Sequence, residues 1–131
     1  MESIHSIIII KKENKYLNYF DNRWNMYLFP NLKGNNIDTI KDYYQTDNVK
    51  LLFDKVHEKY SFPNKKIKTY HHYFYEVKEK VEGEYFTLEE LLTLPNVEKY
   101  NSDIISFIEE YYNSLNKTNQ KIKKHNRKEN L

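Results

Sequence analysis

Trp24-Asn25-Met26-Tyr27-Leu28-Phe29-Pro30-Asn31-Leu32-Lys33 is the stretch on which the fold reading turns. Its apolar segment ends at Pro30, which has no amide to give to a strand ladder. Asn31 to Asn36, with Gly34, then reads as loop. Upstream, Ser3 to Lys12 is rich in β-branched residues, and Ile7 to Ile10 is the continuous apolar run of a strand buried on both faces. Glu13-Asn14-Lys15 is a polar turn, and Tyr16 to Phe20 follows as a second strand, so the two form a hairpin. Asp21-Asn22-Arg23 turns the chain into the Trp24 segment.

Downstream, Ile37 to Tyr44 reads as a short helix. Asn48 to Tyr60 reads as a longer one, because Leu52, Val56 and Tyr60 lie four apart, with Leu51 and Phe53 beside them. Lys66 to Lys78 alternates as strands do. Ile67, Thr69, His71, Tyr73, Tyr75 and Val77 share one face, and Lys68, Tyr70, His72, Phe74 and Glu76 the other. Glu82-Gly83 turns into a short strand at Tyr85-Phe86. Thr87-Leu88-Glu89-Glu90 is a capping box in which the Thr87 hydroxyl and the Glu90 carboxylate serve orphan amides. The last helix runs from Asn101 to Leu115, with Ile104, Ile105, Ile108, Tyr111, Tyr112 and Leu115 at helical spacing.

At 131 residues the chain is one domain long, and thirteen Tyr and seven Phe offset an apolar fraction of 39%. With no cysteine, disulfides, thiolate zinc sites and cysteine nucleophiles are excluded. No apolar run approaches a membrane span and no signal peptide pattern opens the chain, so the expectation is a cytoplasmic protein without a membrane partner. Residues 117–131 carry six basic side chains against Glu129, a net +5. Residues 1–116 therefore hold 15 basic and 18 acidic side chains, net −3. The expected organisation is one folded unit over 1–116 and a flexible basic tail over 117–131. Such a tail is the only part suited to nucleic acid.

The order of these parts resembles the Nudix fold: an opening hairpin, a Trp-x-Phe-Pro-Gly-Gly type loop, a helix, later strands, a short leucine-rich helix and a terminal helix. Ile7 to Lys12 with Lys15-Tyr16-Leu17 is similar to the hairpin. Trp24 through Phe29-Pro30-Asn31-Leu32-Lys33 is similar to the entry loop, with Asn31 and Leu32 where the family has glycines. Tyr85 to Leu91 is similar to the late strand-to-helix passage. The resemblance implies an α+β, Nudix-like α/β/α sandwich with a mixed central sheet and flanking helices.

The family's catalytic box departs from its pattern here. Box glutamates at i, i+3 and i+4 place carboxylates on one helix face for Mg²⁺ and a diphosphate. Aligning Leu51-Leu52-Phe53 with the box helix, eight residues late, puts Asp54 at the arginine, Lys55 at the first glutamate, and Glu58 and Lys59 at the pair. Aligning without a gap from Leu32 puts Asp38 on the lone glutamate, and Thr46, Asp47, Lys50 and Leu51 on the rest. Neither register yields an acid triad, so the expectation is a catalytically inactive, regulatory module that binds a nucleotide-type ligand without a cofactor.

Arg23, Trp24, Asn31, Lys33, Lys55, Glu58, Lys59, His72 and Tyr85 are the candidate ligand-binding residues. The bland alternative makes Lys55, Glu58 and Lys59 a salt-bridged solvent face. In the sharper one the two lysines replace Mg²⁺ as countercharge for phosphates. His71 and His72, adjacent on a strand, face opposite ways and cannot share one site, which argues against zinc. Two other classes stay open. One is a Mg²⁺-dependent diphosphate hydrolase with relocated acids (Asp38, Asp42, Asp47, Glu58). The other is a protein-interaction subunit or homodimer with a vestigial cleft.

Overall fold

The computed structural model describes residues 2–61 and 64–129, with side chains up to Lys117. Its heart is a four-stranded sheet in the order β5-β1-β7-β6, built from β1 (Glu2–Ile9), β5 (Asn31–Lys33), β6 (Val49–Ser61) and β7 (Lys66–Val77). β1 and β7 are parallel and the other pairings antiparallel, so the sheet is mixed. A smaller sheet joins β2 (Lys11–Lys12), β3 (Lys15–Asp21) and β4 (Met26–Leu28), with β8 (Glu84–Phe86) on β3.

The isoleucine run behaves as a doubly buried strand should. Ile7 and Ile9 enter a core with Phe74, Leu91, Ile104, Ile105 and Ile108. Ile8 and Ile10 enter a second core, with Leu17, Ile40, Tyr75 and Val77. α2 (Leu88–Leu91) and α3 (Asn101–Glu129) supply the first core, and α1 (Ile37–Tyr44) supplies Ile40 to the second. The sheet is thus sandwiched between helices. The capping box on α2 is complete: the Glu90 amide donates to Thr87 Oγ1 at 3.1 Å, and the Thr87 amide to Glu90 Oε1 at 3.0 Å.

Three expectations are corrected. The opening hairpin is only the two-residue β2 against β3, because β1 ends at Ile9 and pairs instead with β7 and β5. Asn31 to Lys33 is not loop but a strand against β1. It ends at Gly34, whose φ of +86° suits a residue without a Cβ. Asn48 to Tyr60 is not a helix, since Val49–Ser61 is the edge strand β6.

The physical reason lies in the spacing. Positions four apart share a helix face, but four is also a multiple of the strand period of two, so Val56 and Tyr60 share a strand face equally well. Tertiary contacts decide the matter. Phe53 stacks on Phe74 with centroids 4.2 Å apart and on Tyr111 at 4.7 Å. Twelve residue pairs tie β6 to β7 around a bulge between Leu51 and Phe53.

Candidate functional site

Between β3, the Phe29-Pro30 loop and the end of α1 lies a cavity of about 220 Å³. Tyr19 and Phe20 come from β3, Phe29 and Pro30 from the loop, and Tyr43 and Tyr44 from α1. Asp21 and Asn31 add polar edges. Asn31 is held by its own amide, which donates to Phe29 O at 3.1 Å, so its carbonyl end is not spent on that bond. Asp21 Oδ1 accepts from the amides of Arg23 and Trp24 at 2.9 and 3.2 Å, fixing the turn that carries both residues. Burial raises the phenol pKa of Tyr19 and Tyr44, and neighbouring phenols add to it, so both stay neutral donors.

α1 is short for reasons visible in its ends. Asn36 caps it, accepting from the Asp38 amide at 3.0 Å. Gln45 then adopts the left-handed conformation, φ +54°, and its amide closes on Lys41 O. Helix therefore stops before Thr46, and Asp47 lies in the turn that leads into β6. Ile37, Ile40 and Tyr44 face the core, whereas Asp38 and Asp42, one turn apart, are exposed. No group of three His, Asp or Glu side chains among the described residues is placed to hold a metal ion. The carboxylates that α1 itself carries are Asp38 and Asp42.

The other candidate residues separate. Lys55 and Lys59 point towards α3, where Lys55 Nζ lies 3.5 Å from Glu110 Oε1 and Lys59 Nζ 2.8 Å from Asp103 Oδ2. Strand alternation turns Glu58 to the opposite face, so the grouping of Lys55, Glu58 and Lys59 on one helical face is corrected. Arg23 is almost fully exposed, and Trp24 is half exposed on the same turn. Tyr85 packs in the second core and donates to Val81 O at 2.6 Å. Lys33 stands opposite His5, at the far end of β5 from Asn31. Of the nine residues, only Asn31 lines the cavity.

His72 is fully buried beneath α3 and opposes Lys55 on β6. Its Nδ1 is 3.0 Å from His57 Nε2 and its Nε2 is 2.9 Å from the Tyr100 hydroxyl, so His57, His72 and Tyr100 form a chain. Burial first, then the neighbouring imidazoles of His57 and His5, push its pKa down to about 3. His71 faces the other way, as its neighbour in a strand must, between Asp54 Oδ2 at 2.7 Å and Glu2 Oε1 at 3.2 Å. The sequence reading missed the cavity's aromatic walls. Tyr19, Phe20, Tyr43 and Tyr44 carry no motif; the only signal was the recurrence of adjacent aromatic pairs.

Similar architecture occurs in solved structures. The crystal structure of the C. elegans Ap4A hydrolase superposes with a TM-score of 0.58 at 11% identity, covering 87% of this chain and 97% of that one. The solution structure of the DNA mismatch repair protein MutT, a Nudix family hydrolase from methicillin-resistant Staphylococcus aureus 252, does so at 0.52 and 15%, covering 81% and 97%. This chain has the Nudix fold. No family model and no curated protein matches the sequence, and at these identities the likeness concerns the fold alone. No helix among the described residues is long and apolar enough to cross a membrane.

Proposed function

We propose that this chain is a catalytically inactive Nudix-fold module, a pseudoenzyme that binds a nucleotide-type ligand in the cavity beside Pro30 and has a regulatory role. The observation that carries the reading is the pairing of an aromatic cavity with a truncated α1. The segment aligned with the box in the ungapped register, from Thr46 onward, forms a turn and a strand, which cannot hold carboxylates at helical spacing. The same eight-residue helix brings Tyr43 and Tyr44 to the cavity.

Aromatic walls favour a flat π-system, and base stacking is worth about 1–3 kcal/mol per base. At about 220 Å³ the space is smaller than the roughly 300–1,000 Å³ of sites that engulf a whole drug-sized ligand. It suits one ring system, with Asn31 and Asp21 at its polar edge. Asn31 offers a carbonyl and Asp21 a carboxylate, both acceptors suited to the amino and imino groups of a base. In the sharper sequence reading, Lys55 and Lys59 were to take the phosphates. Their ion pairs with α3 leave that role to cations outside the covered face.

Thermal shift with a panel of nucleoside mono- and diphosphates, with and without Mg²⁺, tests the reading. Binding to the folded state raises the melting temperature by mass action. A shift that needs no Mg²⁺ and is weakened about tenfold or more by Tyr43→Ala is the expected result. Tyr43 is largely exposed, so its replacement leaves the core intact. Mg²⁺-dependent phosphate release, lost on replacing Asp38 or Asp42, would establish the hydrolase alternative instead. No shift with any nucleotide would remove the ligand.

A further inference from the structure

β6 is a thirteen-residue strand that pairs on one side with β7 and, among the described residues, on the other side with nothing. An edge of that length is a template for another strand unless it is blunted. The bulge between Leu51 and Phe53 blunts the first part. From Asp54 to Ser61 the strand is regular, with one partner on β7 for every residue. Its lysines, the usual guards of an edge, are drawn under α3 by Glu110 and Asp103. The opposite face presents Asp54, Val56, Glu58 and Tyr60 in alternation. Val56 is 55% exposed, and Ile67 and Ile4 extend the exposed apolar surface across β7 and β1.

A second copy of this edge is a poor occupant. In a two-fold antiparallel pairing, residues of equal parity meet on the same face. Centring the axis on 54, 55, 58 or 59 sets Asp54, Lys55, Glu58 or Lys59 against itself. Centring it on 56 opposes Asp54 to Glu58, and on 57 Lys55 to Lys59. Like charges directly opposite destabilise a strand pair. Over 54–59 the edge is therefore open in geometry and closed to itself in charge, and an axis on 60 or 61 overlaps at most residues 59–61 of β6.

We propose that the Asp54–Ser61 edge of β6 receives an extended segment of another protein as a fifth strand, one that alternates cationic and apolar side chains on the face it shares with Asp54, Val56 and Glu58. Main-chain hydrogen bonds supply affinity in this mode, and alternate side chains supply specificity. Lysine or arginine opposes Asp54 and Glu58, and an aliphatic residue opposes Val56 and Tyr60. Asp54 keeps one carboxylate oxygen for this, since its bond to His71 uses Oδ2. The surface lies on another part of the fold from the Pro30 cavity and does not depend on nucleotide binding.

The test uses the full chain and three capped seven-residue peptides. Lys-Thr-Val-Thr-Lys-Thr-Val carries the pattern, Glu-Thr-Val-Thr-Glu-Thr-Val reverses its charge, and Lys-Lys-Thr-Val-Thr-Val-Thr keeps its composition but breaks the alternation. The patterned peptide is expected to bind saturably, at least tenfold tighter than either control, and to slow amide hydrogen exchange over residues 54–61. Asp54→Lys with Glu58→Lys should invert the preference towards the glutamate peptide. Glu58→Lys alone, at an exposed position, should do so in part if the double variant folds poorly. Equal binding of the scrambled peptide, protection elsewhere in the chain, or a dimer whose protection maps to β6 would each overturn the proposal.

Discussion

The two faces of the central sheet are built on different terms. The face towards α3 is covered along its length: Phe74 is fully buried, Phe53 is stacked between Phe74 and Tyr111, and even the charged side chains of β6 find partners on the helix. The face towards α1 is covered over only half. Ile8, Ile10, Tyr75 and Val77 lie under Ile40 and its neighbours, while Ile4, Val56 and Ile67 are left in water. An eight-residue helix cannot cover a sheet whose strands run to thirteen residues. The shortness of α1 thus bares the surface beside the β6 edge.

The sharpest way to break this contrast is to truncate one apolar residue on each face of the same strand. Phe74→Ala should cost about 3–5 kcal/mol, because it opens a cavity in the covered core. Ile67→Thr, at 67% exposure with β propensity retained, should cost no more than about 0.5 kcal/mol. Urea unfolding of both variants measures the difference. Comparable losses would mean that the α1 face is covered in solution.

Acid should attack the covered face first. His72 has a folded pKa near 3 and an unfolded one near 6.5. Between those values the unfolded chain binds the extra proton, so stability falls as pH falls. The contribution is whole above about pH 6.5 and is lost progressively towards pH 3, on the order of a few kcal/mol. Burial also lowers the pKa of His57 and His5, with the same sign. The cations facing this cluster are Lys55 and Lys59 from β6, Lys33 from β5 and Lys68 from β7, and the facing acid is Asp103 on α3. Asp103 already holds Lys59. Chemical denaturation from pH 7.5 to 4 should show the slope in the parent chain and a reduced slope in His72→Phe. An unchanged slope would place the acid sensitivity elsewhere.

The covered face was also the more legible one. Ile7 to Ile10, the alternation of β7, the Thr87 box and the spacing of Ile104, Ile105 and Ile108 each specify one element, because local pattern and tertiary burial agree there. β6 was misread because its spacing satisfied both periods, and only pairing with β7 and stacking on Phe53 separated them. β1 looks like half of a hairpin in sequence because its parallel partner, 67 residues away, leaves no local trace. The cavity was half legible. Asn31 and Pro30 mark its rim by turn chemistry, but Tyr19 and Tyr43 meet only because β3 and α1 converge. Lys55 and Lys59 show their charge in the sequence but not their surroundings, since Asp103 and Glu110 lie more than forty residues away.

Those two lysines give the smallest and most discriminating prediction. Lys59 and Asp103 are 2.8 Å apart with side chains 25% and 42% exposed, and Lys55 with Glu110 is longer and more open. Partly exposed pairs of this kind are worth about 0.2–1 kcal/mol and weaken with salt. A double-mutant cycle of Lys59→Met and Asp103→Asn should return a coupling in that range at low salt and less at 1 M. The Lys55–Glu110 cycle should return less still. If the covered face is held by aromatic and aliphatic packing, with its ion pairs serving to turn the edge lysines inward, neither cycle will approach the cost of Phe74→Ala. A coupling of several kcal/mol would instead make the ion pairs the principal clasp between β6 and α3. It would also mean that releasing Lys59 to an outside anion could loosen the helix, a role the packing alone gives it no means to play.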